Sequence, residues 1–169
     1  KKKTKLNDTT LGAIFWVLNH TTKDGETIKI DMWDTAGQER YNALIPMYTR
    51  NSDIILITFD ITNIESFKDL KKWVSILDEQ EQDCYKIIIG NKMDQELFRK
   101  VFDKDINIFI RELEKKSYSN KVFYFDTSAK TGLNIELLFQ TIFEISELIY
   151  DKKKEKFSST KPRSEERRV

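Results

Sequence analysis

The chain has 169 residues, 39% hydrophobic and 12% aromatic, which is enough apolar material for one domain with its own core and excludes a disordered polymer. Its net charge of +1 argues against a dedicated nucleic-acid binder. That total hides an asymmetry: residues 151–169 carry eight Lys/Arg and four Asp/Glu, net +4, which leaves −3 for residues 1–150.

Lys1-Lys2-Lys3 ahead of an apolar run at 11–18 resemble a secretory leader only superficially. Asn7 and Asp8 intervene, no small-residue cleavage site follows, and the run is too short to span a bilayer. Residues 12–19 are therefore read as a strand. His20 opens a polar stretch that ends in Asp24-Gly25, a hairpin signal, and reads as a turn residue; no second His accompanies it to support zinc. Residues 26–34, ETIKIDMWD, alternate Ile28, Ile30 and Met32 with polar partners, the period of a half-buried strand. Residues 53–61, DIILITFDI, form a continuous apolar run that suits a strand buried on both faces, as do 85–89 and 121–125. Cys84, the only cysteine, excludes an internal disulfide framework, fits a reducing compartment and reads as a core filler.

Helices fall between these runs. Thr62-Asn63-Ile64-Glu65 matches a capping box, and Phe67, Leu70, Val74 and Leu77 then recur at helical spacing. Ile106, Phe109, Ile110 and Leu113 make a second such face. Ile135, Leu138, Phe139, Ile142, Ile145 and Ile149 make a third. Strands alternating with helices predict a layered α/β fold, in which ligands bind at the carboxyl ends of the strands.

Three polar clusters follow predicted strands: Asp34-Thr35-Ala36-Gly37-Gln38, Gly90-Asn91-Lys92-Met93-Asp94, and Asp126-Thr127-Ser128-Ala129-Lys130. In the first, a glycine allows close backbone approach, the carboxylate three residues earlier suits a metal, and the amide of Gln38 suits a positioned water. In the second, Asp94 can accept hydrogen bonds from N1–H and the exocyclic amine of guanine, whereas adenine has no donor at N1. Lys92 can lay its methylene stem along the base, and Asn91 can tie neighbouring loops together. In the third, the small side chain of Ala129 leaves its N–H free to meet the guanine carbonyl. Asn91-Lys92-Met93-Asp94 taken alone also reads as a solvated turn.

The three clusters in this order, each behind a strand, strongly resemble the small GTPases of the Ras superfamily. Trp33, with Gln38-Glu39-Arg40-Tyr41 after it, resembles the Rab family. TLGAIF and RYNALIPMYTR are similar to its endosomal group, with Ile14 and Thr49-Arg50-Asn51-Ser52 as departures. The resemblance covers about residues 9–150. It implies an α/β, three-layer, P-loop NTPase-like G domain with a mostly parallel sheet and one antiparallel hairpin strand. It also implies a GTP/GDP switch that hydrolyses GTP, with Mg²⁺ as cofactor.

Carried over by position, Gln38 resembles the residue that orients the attacking water and Gly37 the γ-phosphate sensor. Asp34 resembles the residue that holds Mg²⁺ through water. Thr10 resembles the switch threonine that meets Mg²⁺ and γ-phosphate. Asn91, Lys92, Asp94, Ser128, Ala129 and Lys130 resemble the base-binding set. Phe15, Trp33 and Tyr48 match the aromatic triad that effectors read. The implied partners are effectors, exchange factors and activating proteins, with no nucleic acid. The implied setting is cytoplasmic, peripheral on endosomal or vesicle membranes, in membrane trafficking.

The family's first strand and its Gly-x-x-x-x-Gly-Lys-Ser/Thr loop have no counterpart among these residues. The sheet is therefore expected to expose two edges. Lys1 in place of methionine leads to the expectation that upstream sequence is missing. The alternative is a P-loop-less pseudo-GTPase that serves as a non-catalytic effector-binding module. No prenylatable cysteine follows Cys84. The expected organisation is an N-terminal flank at 1–8, an N-terminally incomplete small-GTPase domain at 9–150, and a flexible basic tail at 151–169.

Overall fold

The computed structural model describes residues 13–35, 45–78, 84–116 and 121–159. Strands β1 (Ala13–Thr21) and β2 (Thr27–Thr35) form an antiparallel hairpin with Phe15 opposite Trp33 and Ile14 opposite Asp34. Its tight end is closed by the Gly25 N–H on the Thr22 carbonyl at 3.0 Å, with Gly25 at φ 81°, a conformation open to glycine. A short helix α1 (Ile45–Thr49) precedes β3 (Ile54–Asp60). Helix α2 (Ile64–Asp78), β4 (Tyr85–Asn91), a 3₁₀ segment (Met93–Phe98), α3 (Asp103–Lys116), β5 (Val122–Asp126) and α4 (Ile135–Ser159) complete the order.

Strands β3, β4 and β5 form a parallel sheet with β4 in the middle. The helices split between its faces because the strands are apolar on both sides. Ile55, Ile57, Phe59 and Ile88 pack with Leu70, Val74 and Leu77 of α2 and with Ile106, Phe109 and Leu113 of α3. Ile87 and Ile89 point the other way, onto Leu138, Ile142 and Ile145 of α4. The result is the layered α/β class that the alternating pattern predicts, with the three layers that the resemblance implies. Cys84 is buried in the first of these clusters, as expected of a filler.

Several local expectations are corrected. His20 lies inside β1 and pairs with Ile28, because the hairpin turn begins after Thr21. Its Nε2 meets Glu147 Oε1 at 2.6 Å, and its ring stacks on Phe143 at 4.6 Å, so it fastens the hairpin to α4. The cap of α2 is Asn63, whose Oδ1 accepts the Glu65 N–H at 3.0 Å, while the Thr62 hydroxyl donates to Asp60 Oδ1 at 2.7 Å. The boundary drawn at 150 falls inside α4, which continues to Ser159. Lys153 and Lys154 on that extension reach Asp53 and Glu26 at 2.8 and 2.7 Å.

The DIILITFDI run is also less enclosed than its sequence predicts. Leu56 is 39% exposed, and Thr58 is exposed too. The cause is topological: among the described residues β3 pairs with β4 alone, and the hairpin is a separate two-stranded sheet. A groove of about 1080 Å³ separates β2 from β3 and is lined from both strands, with Trp73 of α2 and Phe139 and Ile142 of α4 also on its walls. Among the described residues, the edges of β2 and β3 thus face each other across this groove. No helix among the described residues is long and apolar enough to cross a membrane.

Candidate functional site

Strands β4 and β5 run parallel and end together, with Gly90 beside Asp126. The loops behind them are stitched by backbone bonds. The Thr127 N–H donates to the Gly90 carbonyl at 2.7 Å, and the Met93 N–H donates to the Thr127 carbonyl at 3.0 Å. Gly90 is required at this crossing. A Cβ there would lie 2.6 Å from the Tyr124 hydroxyl, 3.0 Å from Asp126 Oδ1 and 3.1 Å from the Phe59 ring.

On this frame the second and third polar clusters converge. The Ser128 hydroxyl, fully buried, donates to Asp94 Oδ1 at 2.7 Å, and Lys130 Nζ lies 3.5 Å from Asp94 Oδ2. The hydrogen bond from Ser128 holds the Asp94 carboxyl below the usual carboxylate range, with the charge of Lys130 acting in the same direction. Asp94 is therefore a fixed, ionised acceptor with lone pairs left over. Ser128 Oγ accepts the Thr131 N–H at 3.2 Å, and the Gly132 N–H donates to the Ser128 carbonyl at 2.8 Å. The loop is thus rigidified from within, and Gly132 at φ 85° completes its turn.

Asn91 does tie the loops together: its Oδ1 accepts the Ala129 N–H at 3.0 Å. The donor expected to serve a base carbonyl is therefore engaged with Asn91 in this structure. Lys92 adopts the left-handed conformation, φ 74°, which turns its side chain toward β3. Its Nζ meets Asp60 Oδ2 at 2.6 Å. Burial alone would raise the Asp60 carboxyl, but hydrogen bonds from Lys92 and Thr62 outweigh it and leave it lowered. Asp60 is a residue that sequence reasoning did not place near the site. Its position at the end of the DIILITFDI run is the available signal, because the other polar clusters also follow strands.

The hairpin contributes differently. Asp34 is exposed near the end of β2 and has no polar partner among the described residues. Trp33 beside it stands between Phe15 at 4.8 Å and Tyr48 at 5.3 Å, ring centre to ring centre. Phe15 and Trp33 are 45% and 49% exposed. Residues separated by up to 33 positions thus make one aromatic surface, through a cross-strand pair and the docking of α1. Thr10, Gly37 and Gln38 lie outside the described residues.

The Ras family model matches residues 2–147. The GTP-binding protein YPT53 of Saccharomyces cerevisiae is 40% identical over 141 residues, covering 80% of this chain and 61% of that protein. The Ras-related protein RABF2a of Arabidopsis thaliana is 39% identical over 139 residues, 82% of this chain and 66% of its own length. The Ras-related protein Rab5A of Oryza sativa subsp. japonica is 37% identical, with 82% and 64% covered. The chain thus spans roughly three fifths to two thirds of the length of these curated relatives. With this match over most of its length, the chain belongs to the Ras family and is a Rab-like small GTPase.

Proposed function

We propose that this protein is a guanine-nucleotide switch of membrane trafficking, whose base site is the cluster of Asn91, Lys92, Asp94, Ser128, Ala129 and Lys130. The observation that carries this reading is the Asp94 carboxylate held by Ser128 at 2.7 Å with acceptor capacity to spare. Guanine presents two adjacent donors to such a carboxylate, and adenine presents one donor and one acceptor. Lys92 offers its stem to the base face, anchored at its tip by Asp60. In the proposed complex the base carbonyl competes with Asn91 for the Ala129 N–H.

The remaining roles rest on family membership and position. An exposed, unpartnered carboxylate at Asp34 fits a hard cation bound through water, and Mg²⁺ is satisfied by one or two carboxylates plus phosphate oxygens. Mg²⁺, when bound with the nucleotide, neutralises phosphate charge. Thr10 and Gly37 are proposed to read the γ-phosphate and order the segments around them, and Gln38 to orient the hydrolytic water. Phe15, Trp33 and Tyr48 are proposed as the face read by effectors, with exchange factors and activating proteins as further partners. An endosomal or vesicle-membrane setting for a peripheral protein is proposed from the likeness of TLGAIF and RYNALIPMYTR to the endosomal Rab group.

Asp94→Asn tests the base reading. It reverses the hydrogen-bonding pattern at one position and is expected to move preference from guanine toward xanthine nucleotides. A variant that still prefers guanine would remove Asp94 from its role. Gln38→Leu, made in the protein as expressed from its own gene, is expected to slow GTP turnover with and without an activating protein. Unchanged turnover in both settings would remove Gln38.

A further inference from the structure

Behind the base cluster lies a guanidinium that none of the roles above uses. Arg99 ends the 3₁₀ segment that carries Asp94, and its side chain is only 8% exposed. A buried cation persists where its donors are satisfied, and Arg supplies five in a rigid fork. Nε donates to both Glu96 oxygens at 2.8 and 2.9 Å. Nη1 donates to the Val101 carbonyl at 3.0 Å, and Nη2 lies 2.9 Å from Met93 Sδ. The Glu96 and Met93 contacts fold the segment upon itself, while Val101 and, at 3.8 Å from Nη1, Asp103 lie just beyond Arg99. The contact that reaches another strand is Nη2 donating to Asp126 Oδ1 at 3.2 Å, at the end of β5.

Asp126 is itself fixed. Its Oδ1 accepts the Tyr124 hydroxyl at 2.6 Å, and its carbonyl accepts Asn134 Nδ2 at 2.7 Å. It begins the loop that presents Ser128, Ala129 and Lys130. Arg99 therefore joins the two halves of the base site from behind, while the Asp94–Ser128 and Asn91–Ala129 bonds join them at the front. Resting on the guanine reading, we propose that Arg99 is a positioning residue that sets the gap between Asp94 and Ala129, and thereby the preference for a purine bearing a 2-amino group.

The test compares GDP with IDP, which lacks that amino group and so offers Asp94 one donor fewer. Each nucleotide is titrated into the 169-residue chain with Mg²⁺, and amide resonances are followed. A hydrogen bond to a charged group makes a tenfold or larger preference for GDP reasonable in the wild type, on the order of 1.5–3 kcal/mol. Arg99→Met and the milder Arg99→Lys are expected to narrow that ratio to about threefold or less by weakening GDP more than IDP. A purely structural role would weaken both nucleotides equally and leave the ratio intact, which would overturn the proposal.

Without nucleotide, the Ala129 amide is expected to exchange faster with solvent in Arg99→Lys and in Asp126→Asn. Unchanged Ala129 exchange in both variants would also overturn the proposal. If the wild type itself failed to prefer GDP over IDP, the guanine reading would be what fell, and the Ala129 exchange would still decide whether Arg99 sets the gap.

Discussion

At the carboxyl ends of β4 and β5 every candidate side chain that carries a polar group already holds a protein partner, whereas Asp34 at the end of β2 holds none among the described residues. The first region is crossed by backbone bonds and backed by a part-buried Arg–Asp–Tyr network. The second is an antiparallel pair whose aromatic face is half open to solvent. On the proposed function, the contrast divides two kinds of recognition. Reading a base by hydrogen-bond pattern requires acceptors fixed within a few tenths of an ångström, so rigidity is built into the loops. Meeting a phosphate-bound cation, or a partner surface, benefits from groups left unsatisfied until the ligand arrives.

The comparison can be broken by substitution. Gly90→Ala should have the largest effect, because the new Cβ would sit 2.6 Å from the Tyr124 hydroxyl and 3.1 Å from the Phe59 ring. A loss of ~1–3 kcal/mol is expected from urea unfolding. Ser128→Ala removes a fully buried hydroxyl that serves Asp94 and the Thr131 N–H, and should cost ~1–2 kcal/mol by the same measurement. Asp34→Ala, at the other end, should change stability by less than ~0.5 kcal/mol, and Trp33→Ala by ~0.5–1.5 kcal/mol through its lost ring contacts. Trp33→Ala should nevertheless abolish capture of a nucleotide-dependent partner, since central aromatics carry most of an interface's binding energy. A Asp34→Ala variant as unstable as Ser128→Ala would erase the distinction between the two ends.

Acid gives the smallest effect and sharpens the comparison. The Asp60 and Asp94 carboxyls are lowered from their ordinary value of 3.8. A group depressed in the folded state stabilises it above its unfolded value and loses that contribution as pH falls through the folded one. Stability is therefore expected to be level down to about pH 4 and to decline below 3.8, through these two groups of the base region. Asp60→Asn should flatten part of that decline in urea midpoints measured from pH 5 to pH 2.5, and an unaltered decline would remove Asp60 from it.

The α/β fold and the meeting of the second and third polar clusters were legible in the sequence because the signals were redundant. Each polar cluster followed an apolar run, and Asn91, Asp94 and Ser128 meet because β4 and β5 are parallel neighbours that end together. Periodicity likewise placed the buried faces of α2, α3 and α4. What escaped the sequence depended on distant partners. His20 looks like a turn residue until Phe143 and Glu147 are brought beside it by α4. Asn63 rather than Thr62 caps α2 because Asp60 competes for the Thr62 hydroxyl. Leu56 is exposed because pairing, not hydrophobicity, decides which strand is central. Arg99 carried no motif at all, and only its burial against Asp126 reveals it.

The central claim is that a base-reading surface is already formed in this chain. The direct measurement is an amide-resolved titration of GDP and of ADP, in separate samples with excess Mg²⁺, into the 169-residue chain. Without a Gly-x-x-x-x-Gly-Lys-Ser/Thr loop to offset the cost of association, affinity is expected to be weaker than micromolar. GDP should still shift the amides of Asn91, Asp94, Ala129 and Lys130, and ADP should leave them in place at the same concentration. Equal shifts from the two nucleotides, or GDP shifts confined to residues outside that set, would contradict the account.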